Sequence, residues 1–431
     1  MVRREIGKMN KLTFLAALAC AFGFASAKSP THFSLRAESM GGAHVAVVDD
    51  KEALHYNYAG LSQINKLGNF DTRPEQGYYP RNWIGDMRVT FGGAGDIFAF
   101  LSTYSDVKEV QDLFRQAQND ANQITPTHPQ PSSQTGAILD SLVKNPKYVK
   151  TINSYDHKAL EARVKFDAEL AFHNFGAAFW VNGSVAPYID AGIILPYVVV
   201  DTFIIDAVAQ MGGAYEIIPN QLSVGLGGKI VKRHKTNMVT VGLANYSSVA
   251  DTLKDQLDDA TDDFFDSKTF SFGLDLGVLY QFNREIRFGA SLRDIYFKSL
   301  AGETLIPNFT IGANYSPKFM NSNTGFGRKF NVAVDFADMF NNDRNYKFFT
   351  HLNFGFEIEQ TLAAFPGLNN EIRFLVLRLA GGFRGGYPSA GIGVEFLRFF
   401  SIEAATWGEE RGYYTGQDEN RIYMVQASIG F

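Results

Sequence analysis

The stretch 268-KTFSFGLDLGVLYQF-282 alternates along nearly its whole length. Phe270, Phe272, Leu274, Leu276, Val278, Tyr280 and Phe282 fall on one face. Thr269, Ser271, Gly273, Asp275, Gly277 and Gln281 fall on the other, and Leu279 is the exception. Successive side chains of a strand point to opposite faces, so this is a β-strand with one apolar and one polar surface.

The pattern recurs. Phe166, Ala168, Leu170 and Phe172 alternate with Lys165, Asp167 and Glu169. Phe309, Ile311, Ala313 and Tyr315 alternate with Asn308, Thr310, Gly312 and Asn314. Phe330, Val332, Val334 and Phe336 stand against Asn331 and Asp335, and Leu352, Phe354, Phe356 and Ile358 stand against His351, Asn353, Glu357 and Glu359. There are roughly fourteen to sixteen such segments of about 9–13 residues, the length a membrane-crossing strand needs. A soluble sandwich also alternates, but its strands run to about five or six residues. The aromatic residues near the segment ends suit interfacial girdles, and charge all along the polar face suits a wet lumen better than a dry core. The expectation is all-β, a transmembrane antiparallel barrel of about 14 strands.

Both chain ends agree with this. The last residues, RIYMVQASIGF, place Tyr423, Val425, Ala427, Ile429 and the terminal Phe431 on one face, which resembles the assembly signal of Gram-negative outer-membrane barrels. At the other end Arg3, Arg4, Lys8 and Lys11 precede a short apolar run, Leu12 to Phe24, and the small residues Ala25, Ser26 and Ala27. This is the form of a secretory signal peptide, cleaved near Ala27. The one cysteine, Cys20, lies inside it, which removes disulfide and thiolate chemistry from the mature chain. Removing residues 1–27 takes away four basic residues and one acid, leaving 36 basic against 44 acidic side chains, a net charge of −8. That mild acidity argues against nucleic acid as a partner. The rest of the chain has no apolar run long enough for a spanning helix.

Between the signal and the strands lies MGGAHVAVVDDKEALHYNYAGL, Met40 to Leu61. It resembles the N-terminal signature of the FadL superfamily of outer-membrane proteins, closest to the TraF-like and PorV-like branches. The residues that carry the resemblance are Met40, Gly41, Gly42, Ala43, Ala46, Val47, Asp49, Asp50, Ala53, Leu54, Asn57, Ala59, Gly60 and Leu61. Tyr58 departs from it, because the family usually has Pro there. The resemblance favours fourteen strands. It implies that this segment folds into the barrel as a plug or hatch, and the alternative is a plain helix-turn before the first strand. Small residues allow close packing against a wall. Asp49 and Glu52 have the spacing of a capping box for a helix starting near Lys51, and Asn57 and Gly60 suit a turn. The expected organisation is 1–27 signal peptide, 28–66 plug or hatch, and 67–431 barrel with a helical insertion at 105–162.

Within the insertion, helical stripes run through Val107 to Ala117 and Ile138 to Val143, with a third piece over Tyr155–Ala162. Asp251 to Lys268 carries seven aspartates but lacks the spacing of an EF-hand loop, so a solvated loop is expected.

Catalytic motifs are missing. The eight histidines show no pair at metal-ligand spacing, so no metal is expected. No nucleophile elbow, Walker A or dinucleotide fingerprint occurs in the right context, and no cofactor or enzymatic activity is expected. Glycine clusters at 92–95, 225–228 and 381–386 read as strand kinks and tight turns. The resemblance implies passage or binding of a small hydrophobic compound, gated by the plug. The lumen candidates are Asp167, Glu169, Lys229, Asp275, Arg293, Asp335, His351, Glu357 and Glu395, whose mixed charge favours a hydrogen-bonded interior. The alternative, from the PorV-like and TraF-like side, is a barrel that docks partner proteins in secretion or envelope assembly. In either case outer-membrane lipid and the barrel-assembly machinery are expected partners.

Overall fold

The structure is a computed structural model and describes residues 26–27, 32–64, 83–96, 160–190, 197–200, 203–235, 239–242, 270–296, 304–305, 307–321, 327–340, 348–366, 371–397, 399–411 and 415–430. Among the described residues, fourteen strands close into one antiparallel barrel. They are β1 (Trp83–Ala94), β2 (Ala162–Phe172), β3 (Phe175–Val185), β4 (Ile204–Ile218), β5 (Leu222–Lys235), β6 (Phe270–Gln281) and β7 (Ile286–Tyr296). Then come β8 (Asn308–Tyr315), β9 (Arg328–Phe336), β10 (Leu352–Pro366), β11 (Glu371–Arg384), β12 (Tyr387–Phe396), β13 (Phe400–Glu410) and β14 (Glu419–Gly430). Each strand pairs with its neighbours in chain order, and β14 closes on β1, with Val425 opposite Phe91. Closure removes both sheet edges, which any spanning sheet requires because lipid offers no hydrogen bonds.

The alternation sets the two surfaces. In β6 Phe270, Phe272, Leu276, Val278 and Tyr280 are exposed outward, while Ser271, Gly273, Asp275, Gly277 and Gln281 are buried inside. Leu279, the exception to the pattern, is buried in an apolar cluster with Leu54, Tyr58 and Leu61. In β14 Tyr423, Val425, Ala427 and Ile429 face out, and Phe431 lies outside the described residues. No described helix is long and apolar enough to cross a membrane.

The turns β2–β3, β4–β5, β6–β7 and β12–β13 are short and share the end at which β14 finishes. Residues 95–161 connect β1 to β2 at the opposite end. The expected helical insertion falls among them and lies outside the described residues, as does the aspartate-rich run. The described end of the third expected helical piece is a correction: Leu160 and Glu161 have no regular structure and Ala162 opens β2. Arg163, the second residue of that strand, pairs with Glu409 across the barrel seam at 2.7 Å.

Candidate functional site

Residues 32–64 occupy the interior of the ring. They form α1 (Leu35–Ser39), α2 (Ala53–Tyr56) and a 3-10 helix, Tyr58–Gln63, with turns between. None of these pairs with the wall as a strand. Isolated helices this short are unstable in water, so wall contacts must hold them. Apolar packing supplies part: Leu54, Tyr58, Ala59, Leu61 and Ile64 pack with Ala171, Ala178 and Leu279 of the wall. Met40, Ala43 and Val47 pack with Ala333 and Ala380.

Arg36 is the largest polar anchor. Its Nε donates to Glu357 at 2.9 Å, its Nη2 meets the other oxygen of Glu357, and its Nη1 donates to Asp50 at 2.6 Å and Asp49 at 3.3 Å. Asn331 donates to Glu357 at 2.9 Å, and Lys329 pairs with Asp49. Burial alone would lower the Arg36 pKa, but Glu357, Asp50 and Asp49 push it well above the ordinary value, so the guanidinium stays charged. Burial likewise works to raise that of Asp49, yet Lys329 and Arg36 hold its carboxyl well below the usual range.

Further anchors are spread along the segment. Glu38 pairs with Arg384, and Ser389 donates to the Ser39 carbonyl at 3.0 Å. Asp335 accepts from the backbone N–H groups of His44 and Val45 at 2.7 and 2.8 Å. The Asn57 amide donates to Val45 O and Val278 O, both at 3.0 Å, while its Oδ1 accepts from Ala59 N at 3.1 Å. One side chain therefore ties two turns of the segment to β6. Arg293 donates to the His55 carbonyl at 3.0 Å, and Ser62 donates to Ser223 at 2.8 Å. Lys51 pairs with Asp86. A second hub joins Arg88 with Glu52 at 2.6 Å and with Glu169. It continues through His55, His32, Asp167 and Lys165.

The lumen candidates thus divide. Asp167, Glu169, Arg293, Asp335 and Glu357 touch the inner segment directly. Lys229 bridges Asp275 at 2.8 Å and Asp294 at 2.6 Å within the wall. His351 ends a 3-10 helix before β10 and its ring lies 5.8 Å from that of Phe336. Glu395 is half-buried in β12, opposite Ser401. Arg36, Glu38, Arg88, His32 and His55 were not anticipated, and no local pattern marks them.

Two local expectations need correction. The segment's second helix begins at Ala53, and the Asp49–Glu52 capping box is not made. Asp50 accepts from Glu52 N at 2.9 Å, whereas Asp49 and Glu52 are drawn to Lys329 and Arg88. Buried charge-assisted bonds outweigh a cap. Asn57 and Gly60 do stand in a turn, with Gly60 N donating to Asn57 O at 2.9 Å; Asn57 itself is extended (φ −163°), and the segment's left-handed positions are Gly41 and Gly42 (φ 67° and 81°). A Cβ on Gly41 would also lie 2.5 Å from Phe383 O. Finally, Gly225 and Gly227 are not kinks. Together with Gly212 they form the notch that takes Tyr58, since a Cβ at any of them would run into that residue. The bulk of Tyr58, where the resembled family carries Pro, is matched by missing side chains on β4 and β5.

Gly227→Ala is therefore expected to weaken seating of the 3-10 helix by about 1–3 kcal/mol, the usual cost of overpacking. Tyr58→Ala should suppress that increment in a double-mutant cycle, read by amide hydrogen exchange over residues 58–63. Additive effects would show that the ring and the notch are independent.

No family model matches the chain, and no curated protein matches it. Solved structures do. The chain is similar to the P. putida toluene transporter TodX, with TM-score 0.41 and 11% identity over 93% of this chain and 98% of that one. It is similar to the Ralstonia pickettii toluene transporter TbuX, with TM-score 0.41 and 11% identity over 92% and 97%. It is similar as well to a Pseudomonas aeruginosa FadL homologue, with TM-score 0.42 and 10% identity over 94% and 99%.

Proposed function

We propose that this chain is an outer-membrane barrel that binds or passes a small hydrophobic compound, and that residues 28–66 are the plug that gates it. The observation that carries the reading is how residues 32–64 are held. They fill the lumen, yet they are attached by side-chain ion pairs, hydrogen bonds and small apolar contacts, with no strand ladder to the wall. A segment paired into the ladder would leave unpaired backbone groups in the wall when it moved, and one held by side chains does not. The outward belt of Phe, Leu, Val and Ile supports a lipid environment, because a soluble barrel would not leave so much apolar surface exposed. Residues 1–27 serve as the signal peptide in this reading. Tyr423, Val425, Ala427, Ile429 and Phe431 are offered to the assembly machinery.

The test is expression in a Gram-negative host. The protein should be recovered from the outer membrane and migrate faster unboiled than boiled. Cells carrying it should take up N-phenylnaphthylamine, a small apolar fluorophore, faster than vector controls. A shifted band without faster uptake would overturn the transport reading, and a soluble, unshifted protein would overturn the membrane reading as well.

A further inference from the structure

We propose that His32, His55, Asp167 and Glu169 form a binding site for a divalent transition-metal ion, which staples the inner segment to the barrel wall. All four side chains are buried, and one donor atom from each lies within 4.8 Å of the others. Asp167 and Glu169 are two apart on β2 and so share its inner face. His32 and His55 come from the inner segment, and their rings stack 3.3 Å apart with an interplanar angle of 2°. The stacking aims both Nε2 atoms at the same carboxylates. His32 Nε2 lies 2.7 Å from Asp167 Oδ1 and 3.7 Å from Glu169 Oε1, and His55 Nε2 contacts Glu169 Oε1. Tetrahedral bonds of about 2.0–2.1 Å separate ligand atoms by about 3.3 Å, so shifts on the order of 1 Å complete the cage.

Unmet polar groups point the same way. Asp167 Oδ2 and Glu169 Oε2 are buried with no hydrogen-bond partner, a costly condition that calls for a further cation or donor. Charge leaves room for one: Glu52, Asp167 and Glu169 face Arg88 and Lys165, so with neutral imidazoles one negative charge is left over, and a divalent ion that also displaces the Lys165 proton brings the cluster to neutrality. Two imidazoles with two carboxylates suit Zn²⁺ or its first-row neighbours better than Mg²⁺ or Ca²⁺, which take oxygen ligands. Lys165 is the competitor. Its Nζ lies 3.0 Å from His32 Nε2 and 3.1 Å from Asp167 Oδ1, so its ammonium holds ground that the ion must take. Ligation through Nε2 puts the His55 ring proton on Nδ1. Gln210, whose amide nitrogen is 2.9 Å from that atom, must then turn its oxygen toward it.

The experiment is calorimetric titration of the full chain, folded in detergent, with Zn²⁺ and with Mg²⁺ as control. One Zn²⁺ per chain is expected, with no competition from Mg²⁺. His32→Asn and His55→Asn should each weaken binding by at least about 100-fold, because even changes to groups that only orient a ligand cost up to about that much. Lys165→Met should tighten it. The heat-dependent gel shift shows that each variant is still a closed barrel, and Glu169→Gln substitutes for any histidine variant that is not. Absence of Zn²⁺ binding would overturn the proposal. So would Zn²⁺ binding unchanged in both histidine variants, because the ion then sits elsewhere. Binding by Lys165→Met alone would also overturn it, leaving the cluster a closed set of ion pairs.

Discussion

Arg36→Ala is expected to loosen residues 32–64 from the wall while leaving the barrel closed. The Arg36 and Glu357 side chains are 5% and 1% exposed, so their two-bonded contact is fully desolvated. Asp49 and Asp50 are 21% and 25% exposed, so their bonds to Arg36 are worth less. Removing one partner of a buried pair strands the other charge and costs about 3–5 kcal/mol. Spent on docking alone, this raises the undocked population by roughly two to four orders of magnitude. The strands do not depend on it, since their ladders run around the ring without the segment. Expected readouts are a retained heat-dependent gel shift, faster amide exchange over residues 32–64, and larger single-channel conductance in planar bilayers. Arg36→Lys keeps the charge but loses the fork and should fall between. Arg36→Met with Glu357→Leu removes both charges and should exchange more slowly than either single variant. Unchanged exchange and conductance in Arg36→Ala would show that other anchors suffice.

The barrel was legible because its signal is local. Alternation needs only neighbouring residues, so the outer face of β6 or β14 is read directly, and even the outlier Leu279 marked a real feature, a wall residue under the inner segment. Small residues in the Met40–Leu61 stretch likewise carried their own meaning, because Gly41 and Gly60 leave no room for a Cβ. Pairing across the lumen was not legible. Arg36 and Glu357 are 321 positions apart, and His32 and Asp167 are 135 apart. Which wall residue meets which inner residue depends on strand tilt and register, and a period-2 pattern is indifferent to both. For the same reason Gly225 and Gly227 looked like strand irregularities: their purpose is visible only once Tyr58 is placed against them. The Asp49–Glu52 spacing was misleading because capping rules hold for exposed helix ends, and here stronger buried cations claim both carboxylates.

If the plug must move for a compound to pass, then tying it down should stop passage, and the structure offers a place to tie it. Ser62 of the 3-10 helix and Ser223 of β5 face each other with their hydroxyl oxygens 2.8 Å apart. Cysteines at both positions bring two sulfurs into the same gap, close to the 2.05 Å bond length that a disulfide needs. Cys20 is the chain's one cysteine and lies in the proposed signal peptide, so the new pair has no rival in the mature protein. The compartment proposed for it favours oxidation. In Ser62→Cys/Ser223→Cys, uptake of N-phenylnaphthylamine is expected to fall to the vector level when oxidised and to recover after reduction. Each single variant should behave like the wild type, which separates the covalent tie from loss of one hydroxyl pair worth about 1 kcal/mol. The bond closes a loop of 161 residues, so the oxidised barrel should also unfold later, by about 5 kcal/mol on the loop-closure estimate. That rise in stability shows that the bond has formed without distorting the fold. Undiminished uptake by a demonstrably oxidised protein would then mean that the 3-10 helix stays docked during passage. The moving part would have to lie nearer Arg36, where the first variant acts.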